Sequence, residues 1–109
     1  MITTAHPTLV GNAFSINMLK ESSSVTFNQV TEEEARDLAV DGFSVVGHAD
    51  TAAVFSSVLG TPVPMNRATV NLEQGQTLLV GQLTGPRLPE GTNTLPEGAN
   101  ISWWTVTVH

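Results

Sequence analysis

Cysteine is absent from this chain of 109 residues. Its absence removes a disulfide framework, a thiolate nucleophile and any cysteine-based zinc site. Positive charge is nearly absent: Lys20, Arg36, Arg67 and Arg87 stand against ten acidic residues, for a net charge of −6. Sequence-independent binding to long nucleic acid draws its affinity from many Lys and Arg contacts, so this balance argues against it. A small anion held in a local pocket stays open, because the field inside a pocket can differ from that of the whole surface. Charged residues are only 13% of the chain and mean hydropathy is +0.07, so disorder driven by charge repulsion is not expected. No apolar run approaches the ~20 residues of a membrane helix. The start MITTAHPTLVGN has no basic region followed by a sustained apolar stretch, and no signal peptide is expected. Also missing are a Walker loop, a nucleophile elbow and a dinucleotide fingerprint. The expectation is a soluble intracellular protein of one domain, 1–109. Its core is modest enough that a dimer hiding more surface is in keeping with its size.

The residues that are present read as a mixed fold. Residues 8–13 (TLVGNA) read as a first strand with an irregular end, and FSINMLKESS as a turn with a short helix. Residues 24–30 alternate, with Val25 and Phe27 on one face, and read as a strand. Thr31 then opens TEEEARDLAVDG. Thr31 and Glu34 match a capping box, in which the hydroxyl takes one backbone N–H and the carboxylate reaches back to another. Ala35, Leu38 and Ala39 share a helical face, Glu32 and Arg36 stand four apart in the favourable orientation, and Gly42 ends the helix. Residues 43–46 form a short apolar strand. Asp50 or Thr51 caps a second helix whose apolar face is Val54, Phe55, Val58 and Leu59, stopped by Gly60 and Pro62. Residues 68–72 alternate as a strand, EQGQ reads as a hairpin connection, and TLLVGQL (77–83) returns. That last segment is apolar on nearly both faces, which puts it centrally in a sheet. GPRLPEGTNTLPEGAN is a long Gly/Pro/Asn loop holding LPEG twice, and loops of this length are commonly functional or mobile. Residues 101–108 (ISWWTVTV) are the last strand. The sum is an α+β (mixed α/β) domain with a central sheet of about five or six strands and two or three helices.

Several residues carry chemistry. His48 stands where a strand ends and a helix begins, and an imidazole there can act as a general acid, since histidine titrates near neutral pH. The alternative is a helix-cap or packing histidine. Asp50, two residues on, adds one carboxylate, and one histidine with one carboxylate is too small a set to define a metal site. His6 and His109 lie near the termini and carry less weight. Gly47 and the N–H groups that open the second helix can hold a phosphate, although every helix has such an end. Asn12, Ser15 and Asn17 are hydrogen-bonding groups in a turn, where Asn and Ser are common for local reasons. Arg67 and Arg87 are half of the positive charge. A guanidinium suits phosphate recognition or a stack on a base. The other reading of Arg87 is a solvated loop arginine paired weakly with Glu90. Trp103 and Trp104 alternate across a strand, so at most one faces the core. The other stacks on a ligand or, by preference, fills a dimer interface. Spacing alone leads to a soluble α+β domain with a histidine site.

Three segments together go further. GNAFSINMLK (11–20), VGHADTAAVFSSVLGTPVPMNR (46–67) and RLPEG (87–91) resemble, in order and approximate spacing, the small viral proteins that antagonise type III CRISPR immunity as ring nucleases, with relatives encoded in bacteria. The resemblance covers most of the chain; TNTLPEGAN departs from it. It implies a homodimer that binds cyclic tetra-adenylate, the second messenger of type III CRISPR complexes, and cuts the ring with no metal or other cofactor. It implies a histidine at the position of His48 as general acid, and it sets Asn12, Ser15, Arg67, Arg87 and Glu90 in or near the ligand pocket. Glu90 would orient Arg87 or His48, and Gly47 would face phosphate charge. The site of action would be the cytoplasm, that of the host cell for a viral protein. Two other readings compete: a sponge that binds a cyclic oligonucleotide without cutting it, and a structural or protein-binding domain.

Overall fold

The capping box read from TEEE is formed. In the computed structural model, which describes residues 8–109, Glu34 N donates to Thr31 Oγ1 at 3.1 Å and Thr31 N donates to Glu34 Oε1 at 2.9 Å. Helix α1 (Glu32–Val40) follows, with three acidic residues in its first turn, where the helix dipole favours them. Glu32 and Arg36 do not come within ion-pair distance among the described residues. The full order is β1 (Leu9–Gly11), a 3₁₀ turn (Ile16–Met18), β2 (Val25–Val30), α1, β3 (Phe43–Ser44), α2 (Ala49–Leu59), β4 (Thr77–Thr84) and β5 (Asn100–Val108). The α+β class expected from the patterns is the one observed.

The five strands share one sheet in the order β2-β5-β4-β1-β3. β1 is parallel to both of its neighbours, β3 and β4. β5 is antiparallel to both β2 and β4. TLLVGQL is central, as its two-sided apolar pattern requires: Leu78, Leu79, Val80 and Gly81 are all buried. On one face of the sheet, Ala35 and Ala39 of α1 and Ala52, Phe55 and Leu59 of α2 pack on Val10, Leu79 and Trp103. On the other face, Leu9, Leu78, Val80, Val106 and Val108 are covered by the irregular segments carrying Phe14, Met18, Leu19, Val70 and Leu72.

Gly81 fixes how closely α2 approaches the sheet. A Cβ there would lie 2.7 Å from Phe55 Cζ and would collide with the Trp103 ring. The two rings meet edge-on over that bare backbone, with centroids 5.0 Å apart. Trp103 is the buried member of the tryptophan pair and Trp104 stays partly exposed on the opposite face, as the alternation demands.

Other expectations fail as well, and the strand expected over 43–46 is confined to Phe43–Ser44. Residues 68–72 form no strand; among the described residues their one β-type pairing is an isolated bridge of Leu72 with Leu19, with Leu72 N donating to Met18 O at 2.7 Å. EQGQ is therefore a turn leading into β4 rather than the connection of a hairpin. Its alternating side chains reflect a segment with one face buried against a sheet, which gives the same period as a strand without a ladder. The second helix begins at Ala49, two or three residues earlier than read, with His48 in the cap position in place of Asp50 or Thr51.

Candidate functional site

The parallel part of the sheet gathers the predicted residues. β1, β3 and β4 run the same way, and the chain leaves their carboxyl ends at Asn12, at Val45 and at Gly85. In open α/β sheets such an edge is where ligands bind, because loops leave there and helix N-termini point there. Gly47 and His48 follow β3, and Arg87 lies three residues beyond the end of β4.

His48 occupies the cap position by its backbone (φ −125°, ψ 132°), and its carbonyl accepts the Ala52 N–H at 3.0 Å. Its imidazole makes no cap hydrogen bond and is exposed. Neither of the two ordinary roles for this histidine, capping or packing, is therefore filled. The ring instead lines a cavity of about 490 Å³ together with Asp50, Thr51, Leu83, Pro86 and Arg87. The opening residues of α2 thus form one wall and the start of the long loop the other.

Arg67 reaches the same corner from a different direction. After α2 the chain returns along the exit of β3, where Asn66 N donates to Val46 O at 2.8 Å and Asn66 Nδ2 donates to Ser44 O at 2.8 Å. This double stitch brings the Arg67 side chain over Gly47: a Cβ on Gly47 would sit 3.8 Å from Arg67 Cγ. Arg67 Nη2 donates a long bond to Gly47 O at 3.5 Å. Asn66 is the residue that sequence reasoning missed. Its neighbour in the NR pair drew attention by charge, whereas an asparagine in a coil segment carries no such mark.

His48 and Arg87 thus line one cavity, and Arg67 lies against Gly47, the residue before His48. Glu90 is exposed on the loop beyond Arg87, and among the described residues it makes no hydrogen bond or ion pair with Arg87 or His48. The weak Arg87–Glu90 pair offered as the ordinary reading of Arg87 is absent. Asn12 lies on the neighbouring strand end and lines a different groove, of about 480 Å³, with Phe14, Phe27, Gln82 and Trp104 on the sheet face opposite the helices. Phe27, 53% exposed, meets Phe14 edge-on there. Ser15 caps the 3₁₀ turn, its Oγ accepting from Asn17 N at 3.2 Å, which leaves its O–H free to donate. His109 is tied at the far end of the sheet, its Nε2 2.5 Å from Thr26 Oγ1 and its N–H donating to Ser24 O. His6 lies outside the described residues. No group of three or more His, Asp or Glu side chains suited to a metal ion converges among the described residues, and no helix is long and apolar enough to cross a membrane.

No curated protein matches the chain. Among solved structures, B116 of Sulfolobus turreted icosahedral virus (STIV) matches with a TM-score of 0.76 and 25% sequence identity, over 94% of this chain and 99% of that one. The model of the STIV B116-like family matches residues 8–99, nearly the whole described chain, and the chain belongs to that family.

Proposed function

We propose that this protein is a metal-independent ring nuclease. As a homodimer it binds cyclic tetra-adenylate, cleaves it to linear di-adenylate ending in a 2′,3′-cyclic phosphate, and so switches off type III CRISPR signalling. One observation supports this most: an exposed imidazole with no structural duty lines a cavity with one of the chain's few cations, Arg87. The sequence resemblance supplies the substrate class.

RNA carries its own nucleophile. A ribose 2′-oxygen attacks the adjacent phosphorus, the bond from phosphorus to the 5′-oxygen breaks, and the 2′-hydroxyl proton passes to solvent. Protonated His48 donates to the departing 5′-oxygen and is later recharged from water. Arg87 and the N–H groups at the start of α2 face the phosphoryl charge. Arg67, already resting on Gly47, adds a second cation beside them. Asn12 and the free O–H of Ser15 are suited to hold ribose. Holding the 2′-oxygen in line with the leaving group is itself a large part of the rate, so no separate base is required. Glu90 is one turn of loop from Arg87 and would orient it once ligand is bound.

A four-nucleotide ring has a two-fold axis, and so does a dimer of this chain. Two His48 side chains then address opposite phosphates, and two cuts give two identical products. The groove around Phe27 and Trp104 is the apolar surface such a dimer would cover. The deciding experiment incubates the protein with cyclic tri-, tetra- and hexa-adenylate in EDTA and resolves products by mass. Linear di-adenylate with a cyclic phosphate is expected from the tetramer ring. Intact ring bound to protein would make it a sponge, and absence of any thermal shift would make it a protein-binding domain.

A further inference from the structure

Among the described residues, the loop that carries Arg87 and Glu90 makes one hydrogen bond to the rest of the molecule. Its feet are β4 and β5, whose last paired residues are Thr84 and Asn100. At the base, Gly85 and Gly98 approach so closely that a Cβ on Gly85 would lie 2.6 Å from Gly98 O. Within the loop the bonds are local: Thr92 N to Pro89 O at 3.1 Å, Ala99 N to Pro96 O at 3.1 Å, and Thr92 with Thr94. Leu88 and Leu95 are only half-buried. Beneath the first part of the loop lies the cavity of about 490 Å³, so packing does not seat it there. Among the described residues, the single hydrogen bond from residues 86–98 to any other element is Gly91 N to Asp50 Oδ2, at 3.2 Å. Gly91 presents that N–H from a left-handed turn, with φ at +78°. Asp50 stands in the first turn of α2, two residues after His48, and is the one acidic residue of that helix.

We infer that Asp50 is a positioning residue. Its carboxylate clasps the loop through the Gly91 N–H and so sets Arg87 and Glu90 at a fixed stance to His48. The same short stretch of α2 thereby carries both the proton donor and the anchor of the facing wall. With little else to hold it, the loop opens locally whenever that bond is lost. The consequence for catalysis rests on the ring-cutting reading above; the clasp itself does not.

The test compares wild type, Asp50→Ala and Asp50→Asn by amide hydrogen exchange of the full chain. Asparagine keeps an acceptor oxygen and loses the charge. Asp50→Ala is expected to speed exchange at Gly91 and its loop neighbours about tenfold, with Asp50→Asn returning most of the protection. Unchanged exchange in Asp50→Ala overturns the clasp. So does equal exposure in both variants, since that pattern would mean the residue acts only as a charge on the helix end. In parallel, cleavage of cyclic tetra-adenylate is expected to fall about tenfold in kcat/KM for Asp50→Ala, with both kcat and KM affected, and to recover in Asp50→Asn. A freed loop with wild-type cleavage overturns the link to the site. If wild type itself cuts no ring, the nuclease reading fails and the exchange data alone decide the clasp.

Discussion

His48 is defined by what it does not do. A histidine at a helix start ordinarily earns its place by capping or by packing, and this one does neither. Replacing it with alanine is therefore expected to leave folding untouched and to slow ring cleavage by ~10²–10⁴-fold, or roughly 3–5 kcal/mol of barrier. Single-turnover assays read the rate, and ligand affinity should stay near that of wild type; a variant that cuts at the normal rate removes His48 from the mechanism. Arg87→Ala differs in kind, because a cation facing phosphate acts on bound ligand as well as on the transition state. We expect affinity to drop by about tenfold along with the rate, measured by titration with cyclic tetra-adenylate. At this scale the sequence was readable where chemistry is scarce: one imidazole outside the termini and two arginines outside the helix and turn. Asn66 and Asp50 were not readable as structural devices, since their value lies in bonds to Ser44 O and Gly91 N across 22 and 41 residues.

Elements were legible in proportion to how local their causes are. Thr31 and Glu34 announce α1 because both capping bonds close within four residues. Gly60 announces the end of α2 because it alone there takes a left-handed φ, 69°. The residues 68–72 misled because alternation reports a half-buried face, and the irregular segment lying on the sheet has one without pairing along its length. Gly81 shows the same limit from the other side: a glycine inside TLLVGQL looks like a weak point, and only the meeting of Phe55 with Trp103 explains it. Gly81→Ala is expected to destabilise the protein by about 2 kcal/mol, since buried rings on both sides leave the new methyl no room. Denaturant unfolding measures this as a lowered midpoint with an unchanged slope; a midpoint within error of wild type would mean that α2 can shift off the sheet.

For the whole molecule, charge and symmetry set the terms. The proposed dimer doubles a net charge of −6, and the proposed ligand is itself a tetra-anion. Long-range attraction cannot gather such a ligand, so capture depends on short-range hydrogen bonds, a few cations and buried bases. The affinity for cyclic tetra-adenylate should accordingly fall only shallowly with salt, and a slope reporting the release of many ions would contradict the site described. Trp104→Glu should split the proposed dimer, read by sedimentation, and abolish cleavage with it, because it sets a charge in the groove shared by Phe27 and Val106. The strand order has one more consequence, for the timing of assembly. β1 is made before β3 and β4, yet it lies between them, and the latter begins only at Thr77. Three residues, Leu9–Gly11, thus wait for their second neighbour until β4 has been made. The strand ends that carry Asn12, Gly47 and Arg87 consequently take their final arrangement only once β4 is in place.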